Sequence, residues 1–94
     1  MKAETVLKNC AEILAQRGQQ YGPITQNFGR CSAIASAVLG KQITGYDVAI
    51  ILHALKLARM AESRDDLDHA TDGINYLAIS VELATEKTAT ENDF

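Results

Sequence analysis

Apolar residues recur at three- and four-residue steps along most of the chain, a spacing typical of amphipathic helices. Four helices are predicted in this way, over residues 4–17, 25–39, 45–62 and 65–85. No segment shows the two-residue alternation of a half-buried strand. We therefore expect an all-α, four-helix bundle-like single domain over residues 1–85, followed by a disordered acidic tail over residues 86–94.

The apolar positions also predict which faces are buried. The third helix is apolar nearly all round over residues 48–52, so we expect it to be the central helix, buried on more than one side. In the fourth helix, six apolar residues at helical spacing are predicted to form the buried face: Leu67, Ala70, Ile74, Leu77, Val81 and Ala84.

Local signals mark several helix ends. Gly18 is predicted to end the first helix, and residues 17–23, with two glycines and the only proline, to form a tight loop. Gly40 is the predicted end of the second helix. Thr44 is a natural N-cap for the third helix, with Asp47 as its capping-box partner three residues later.

Composition narrows the class of protein. Nearly half of the 94 residues are apolar, but no apolar run is long enough to span a membrane, and we expect neither a membrane anchor nor a signal peptide. The net charge of -3 argues against a sequence-independent grip on nucleic acid. Cys10 and Cys31 form no C-x-x-C pattern and have no histidine at the spacing of a metal ligand, so we expect both to be reduced thiols. We expect a cytoplasmic protein, and a chain this short would gain stability from a second copy, as a homo-oligomer.

Cations close the third helix, and acidic residues open the fourth. If the two helices form an antiparallel hairpin, Lys56 lies opposite Asp72, and Arg59 lies opposite Asp68 or His69. One interpretation is a set of interhelical salt bridges that fixes the register of the hairpin. The other is that this seam also borders a ligand pocket, because a register device leaves the polar residues of the 17–28 segment unexplained. Metal ligation by Asp68, His69 and Asp72 is disfavoured, since His69 points to another side of the helix.

Four short patterns stand out along the chain: R-G-x-x-Y-G-x-x-x-x-N-F at 17–28, I-T-x-x-D-V-A at 43–49, K-x-A-R at 56–59 and D-x-x-x-D-x-x-x-Y at 68–76. Together they resemble a family of small phage and prophage proteins of uncharacterised function, over about residues 14–83. Members of that family tend to have an aromatic residue two positions after the first Asp of the last pattern, where this chain has Ala70.

The hairpin is also distantly similar to all-α nucleoside triphosphate pyrophosphohydrolases, whose carboxylates bind magnesium. Those enzymes place E-E-x-x-E on one helix and E-x-x-D on another, since divalent ions need several converging carboxylates. Here residues 62–65 imitate the second pattern, but the second helix contains no acidic residue. We therefore predict no catalytic residue, no metal and no cofactor, and keep pyrophosphate hydrolysis as the competing hypothesis. A ligand-free structural or interaction protein is the third.

The resemblance and the polar residues together favour a binder of a nucleotide-like small molecule. Arg17, Lys56 and Arg59 would contact phosphate, and an aromatic residue would stack on a base. In a phage, such a protein could sequester a nucleotide-derived immune signal of the host. The predicted ligand-binding residues are Arg17, Tyr21, Asn27, Phe28, Lys56, Arg59, Asp68, Asp72 and Tyr76.

Overall fold

The computed structural model describes residues 1–86 and consists of four α-helices joined by short links. This confirms the predicted all-α, four-helix architecture, and no helix in the described range is long and apolar enough to cross a membrane. The predicted tail lies outside the described residues except for its first position. The helices are α1 Ala3–Tyr21, α2 Ile24–Leu39, α3 Gly45–Glu62 and α4 Leu67–Thr85.

The α3–α4 hairpin is the centre of the fold, with α1 packed against α4 and α2 packed against α3. The hairpin is antiparallel, because Gly45 lies beside Leu83 at one end and Lys56 lies beside Gly73 nearer the other. Gly73 lets the two helices approach closely: a Cβ atom there would lie 3.3 Å from that of Lys56. His53 Nδ1 donates a hydrogen bond of 2.6 Å to the carbonyl oxygen of Gly73 and fixes the pairing at this point.

Several predicted helix ends are confirmed. The Thr44 side chain accepts from the backbone N–H of Asp47 at 3.1 Å, and the Asp47 carboxylate accepts from that of Thr44 at 2.9 Å. This reciprocal pair satisfies two N–H groups that the start of α3 would otherwise leave unbonded. Gly40 has a left-handed conformation, with φ of 69°, and ends α2 as expected.

The predicted loop at residues 17–23 is wrong in extent. Helix α1 continues through Gly18 to Tyr21, and Gly22, with φ of 85°, ends it by donating to the Gly18 carbonyl. A glycine inside a helix costs only about 1 kcal/mol, whereas Pro23 cannot continue a hydrogen-bonded turn. The break is therefore set at Gly22 and Pro23, and not at Gly18. Helix α4 also begins two residues later than predicted, because Asp66 is its N-cap and accepts from the backbone of His69.

The burial pattern of the hairpin differs from the prediction. Helix α4 is the most buried element, and α3 buries fully only Val48 and Ala49. The predicted buried stripe of α4 is wrong, since Leu67, Leu77 and Val81 are each about half exposed. Spacing identifies an apolar face, but it does not say whether another part of the same chain covers that face. The fully buried residues of α4 are instead small or polar, with one exception: Thr71, Gly73, Asn75, Ile79 and Ser80.

A buried amide ties α1 to this face of α4. Asn75 Nδ2 donates a hydrogen bond of 3.0 Å to the carbonyl oxygen of Cys10, and both residues are almost fully buried. A buried donor that loses its acceptor costs the full desolvation of the group. The contact therefore fixes where α1 lies on α4.

Replacing Asn75 with Asp should destabilise the fold by about 2–3 kcal/mol, because a carboxylate oxygen would then face the Cys10 carbonyl without a proton between them. Chemical denaturation followed by circular dichroism measures the change. Asn9→Asp is the matched control, since Asn9 is exposed on α1, and its stability should stay close to that of the wild type. Equal stabilities for the two variants would contradict a structural role for the Asn75 bond.

Candidate functional site

The structure contains a cavity of about 580 Å³ in the gap between the end of α1 and the first half of α2. The gap exists because α1 packs on α4 whereas α2 packs on α3. The surface of the α3–α4 hairpin forms the floor of the cavity. Most of its walls are apolar or aromatic, from Leu14, Ile24, Phe28, Val48, Leu52 and Tyr76, and the polar side chains are Arg17, Asn27 and Asp72.

Three charged side chains from three helices meet beside this cavity: Arg17 and Asp72 line it, and Lys56 pairs with Asp72 from outside the lining. Arg17 Nη1 lies 2.8 Å from Asp72 Oδ1, and Lys56 Nζ lies 3.1 Å from Asp72 Oδ2. Both carboxylate oxygens therefore have a cationic partner. The three side chains differ in access to solvent: Lys56 and Asp72 are 13% and 16% exposed, whereas Arg17 is 47% exposed.

The two cations set the protonation of the carboxylate. Burial, the largest single effect, acts to raise the pKa of Asp72, but the hydrogen bonds and charges of Arg17 and Lys56 together lower the pKa below its ordinary value of 3.8. The hydrogen bond to Asp72 raises the pKa of Arg17 in turn. At neutral pH the cluster thus holds two positive charges and one negative charge. Its surplus positive charge lies beside the cavity and suits an anionic ligand.

The mouth of the cavity is built from the junction of α1 and α2. Asn27 Nδ2 donates a hydrogen bond of 2.8 Å to the carbonyl oxygen of Tyr21, so the start of α2 is fastened to the end of α1. This bond uses one of the two N–H groups of the amide nitrogen and orients the side chain, whose Oδ1 atom is an acceptor. The Tyr21 side chain is 63% exposed and stands at the edge of the opening. The mouth therefore offers an aromatic face and an oriented amide.

The structure brings most of the predicted ligand-binding residues together. Lys56 joins the site through Asp72, as the hairpin pairing predicted. Arg59 and Asp68 lie outside the lining, and within residues 1–86 no ion pair joins Arg59 to Asp68 or His69. Arg59 follows Leu52 by seven residues, on the same side of α3 and about 10 Å further along it. Six predicted residues line the cavity: Arg17, Tyr21, Asn27, Phe28, Asp72 and Tyr76.

Several lining residues were not identified from the sequence as parts of a site. Leu14 and Gly18 are two of them, and they lie on the same face of α1 as the predicted Tyr21, because the three are four and three residues apart in a continuous helix. Treating Gly18 as a helical residue would have revealed this face. Val48 and Leu52 were interpreted only as core, and they form apolar floor under the gap.

Within the described residues, no group of three or more His, Cys, Asp or Glu side chains is arranged to hold a metal ion. Asp72 is the carboxylate that lines the cavity, and its two oxygen atoms are taken by Arg17 and Lys56. A metal ion there would compete with both cations for the negative charge of the carboxylate.

One family model matches the chain, over residues 5–84, and it is described as a domain of unknown function, DUF6378. No curated protein and no solved structure gives a significant match. The match covers all four helices almost completely, so the cavity and its charged cluster both lie within the family domain.

The charged cluster should make stability depend on pH through Asp72. Since the pKa of this carboxyl is lowered in the folded chain, its contribution is present above pH 3.8 and is lost as the pH falls through the lower folded-state pKa. Asp72→Asn should lower the free energy of unfolding at neutral pH by about 1–2 kcal/mol, since Lys56 loses its charged partner. It should also weaken the decline of stability in acid.

Denaturant midpoints from neutral pH to below pH 3.8 measure both effects. Asp68→Asn is the control, because Asp68 is exposed one turn earlier on the same helix and forms no ion pair within the described chain. If both variants lose stability in acid as the wild type does, Asp72 is not the titrating group.

Proposed function

We propose a ligand-binding function for this chain, which belongs to the DUF6378 family: it binds a nucleotide-like small molecule in the cavity between α1 and α2, without a required chemical step. One observation carries the proposal. The Arg17–Asp72–Lys56 cluster leaves surplus positive charge beside a cavity with aromatic walls. The volume of about 580 Å³ lies within the usual range of small-molecule sites, roughly 300–1,000 Å³.

In this proposal Arg17 is the main phosphate ligand. A guanidinium carries five N–H donors, and Asp72 engages it through Nη1, so the others can bind phosphate oxygens. Lys56 is nearly buried and bonded to the same carboxylate. Its role is to neutralise Asp72, which would otherwise repel an anion. Arg17 thereby keeps its positive charge available to the ligand.

The aromatic residues and Asn27 would recognise the base. Tyr21, Phe28 and Tyr76 line the cavity, and aromatic faces stack on bases with little dependence on sequence. The free Oδ1 atom of Asn27 would accept from a base N–H group, since its amide nitrogen is held by the Tyr21 carbonyl. The site thus combines a cation for phosphate with a stacking surface for the base.

The position of the remaining predicted residues bears on the size of the ligand. Arg59 and Asp68 lie beyond the lining, with Arg59 about 10 Å from Leu52 along α3. They would contact only a ligand longer than a mononucleotide, with Arg59 on a second phosphate and Asp68 on a ribose hydroxyl. A dinucleotide has this length.

The biological setting is part of the same proposal. The resemblance described above implies a phage protein acting in the host cytoplasm. A binder without turnover would sequester a nucleotide-derived immune signal, and it would do so in proportion to its own concentration. We include a homo-oligomeric state in the proposal.

Two other functions remain as outcomes of the test. Pyrophosphate hydrolysis needs converging carboxylates, and the Asp72 carboxylate is instead engaged by two cations, which supports binding. A ligand-free interaction protein would keep the same cluster only as a device for helix register. Turnover of a nucleotide would identify the hydrolase, and the absence of any response to a ligand would identify the interaction protein.

Screening the protein by thermal shift against mono-, cyclic and dinucleotides should identify a stabilising ligand. At a concentration one hundredfold above its dissociation constant, the ligand should add roughly 2.7 kcal/mol to the free energy of unfolding. Release of pyrophosphate from nucleoside triphosphates with magnesium would contradict the binding function and favour the hydrolase. No shift with any nucleotide would favour the interaction protein.

Arg17→Gln should weaken binding of the selected nucleotide about 10- to 100-fold, since a hydrogen bond between charged groups contributes about 1.5–3 kcal/mol. Isothermal titration calorimetry measures the affinity. Arg30→Gln is the control, because Arg30 is exposed on α2 and outside the cavity lining. Wild-type affinity in a folded Arg17→Gln variant would remove Arg17 from the site.

Tyr21→Ala should weaken binding by a smaller factor, because the ligand loses one stacking surface while the exposed position leaves the fold intact. Tyr46→Ala, at an exposed tyrosine outside the lining, should bind normally. Titrations of both variants with the same nucleotide test the stacking role. Equal affinities would place the base elsewhere.

A further inference from the structure

The side of the hairpin that faces away from the cavity is apolar along its whole length, and we call it the back face. From α3 it contains Ile50, Ala54, Leu57 and Ala61. From α4 it contains the stripe that the sequence analysis had assigned to the core, Leu67, Ala70, Ile74, Leu77, Val81 and Ala84. None of these residues is charged.

Helix geometry places this face opposite the cavity. Residues two positions apart lie about 200° apart around a helix, at 3.6 residues per turn. Leu52 lines the cavity, so Ile50 and Ala54, two positions before and after it on α3, point away from the cavity. Asp72 also lines the cavity, so Ala70 and Ile74 on α4 point away from it. The exposures agree, since Leu57, Leu67, Leu77 and Val81 are 45–55% exposed in the chain.

We propose that the back face is the interface of a homodimer, in which the α3–α4 hairpins of two copies pack back to back as a four-helix bundle. The spacing of the face supports this occupant. Its residues follow steps of four, three and four on α3, and alternating steps of three and four on α4. This is the heptad spacing with which helices of a bundle interlock. Two such seams side by side match a second hairpin better than a single helix.

The area is sufficient for a specific dimer. Two helices of about 25 Å at a separation of about 10 Å present a face on the order of 500 Å². Two copies would then bury roughly 1,000 Å², which is the lower limit for a specific interface. Residues 87–94 contribute a single large apolar side chain, Phe94, and are too few to cover the face.

The small core of one chain gives a reason for such a dimer. The buried apolar residues of the described chain are Cys10, Ile43, Val48, Ala49 and Ile79, two of them small. A domain of this size buries little surface on its own and commonly needs additional stabilisation. Pairing the back faces would bury large apolar residues on both sides of α4.

The dimer specifies the interface of the homo-oligomeric state included in the proposed function, and it does not depend on ligand binding. Because the cavity opens on the opposite side of the hairpin, both cavities of the dimer stay open and face away from the partner. A failure of ligand binding would therefore say nothing about the interface, and loss of the dimer would leave each cavity with all its lining residues.

Sedimentation equilibrium of the full chain tests the proposal. The wild type should have twice the mass of one chain, and Leu57→Glu and Leu77→Glu should each reduce it to a single chain, because two carboxylates would enter an apolar interface. Val38→Glu is the matched control. Val38 is 77% exposed on α2, away from the back face, and this variant should stay dimeric.

A second measurement tests the proposal even if the Leu57→Glu and Leu77→Glu variants do not fold as single chains. The wild-type thermal midpoint should rise with protein concentration, as mass action requires of a dimer, and that of Val38→Glu should rise in the same way. A wild type with the mass of one chain and a concentration-independent midpoint would overturn the proposal. The proposal would also be overturned if Val38→Glu dissociated the assembly and Leu57→Glu and Leu77→Glu left it intact, since the interface would then lie on α2.

Discussion

The position of Asp72 between Arg17 and Lys56 is the constraint on which the candidate site depends. One carboxylate of α4 accepts hydrogen bonds from α1 and from α3, at 2.8 Å and 3.1 Å, so it sets the register of both neighbours. Partly exposed ion pairs contribute little net stability, and the importance of this one is positional. Asn75, nearly one turn later, holds α1 by a second bond. Two contacts fix α1 along α4 and around its own axis, and so fix where Arg17 and Tyr21 stand.

The distribution of residues around α4 follows from its place between α1 and α3. Small residues let two helices both pack closely on a third, and Gly73 lets the Cβ atom of Lys56 approach α4. Small polar side chains are acceptable there when they are bonded, as Ser80 is to the Leu77 carbonyl at 2.6 Å. The large apolar residues are consequently on the remaining side of the helix. Helix α4 is thus buried through its small face, and its large apolar face is available to a further partner.

The sequence was a good guide to features with local causes. The capping box of α3 is set by residues three apart, and the opposition of Lys56 and Asp72 follows from folding a short-looped hairpin. The extension of α1 past Gly18 was missed because glycine is compatible with either a helix or its end. The exposed face of α4 was missed because periodicity is the same whether an apolar stripe meets the same chain or another.

The pairing of Arg17 with Asp72 could not be predicted, because it joins residues 55 positions apart and no local pattern says which helix α1 packs against. What the sequence did indicate was that polar residues near position 17 needed an explanation beyond register. The contacts of Asp72 with two cations provide that explanation. A register device between α3 and α4 needs one cation and one carboxylate, and Lys56 with Asp72 already provides them. Arg17 is the additional charge: it uses the same carboxylate to hold α1, and its 47% exposure beside the cavity leaves guanidinium donors that this contact does not use. The proposal of an anion site rests on these remaining donors.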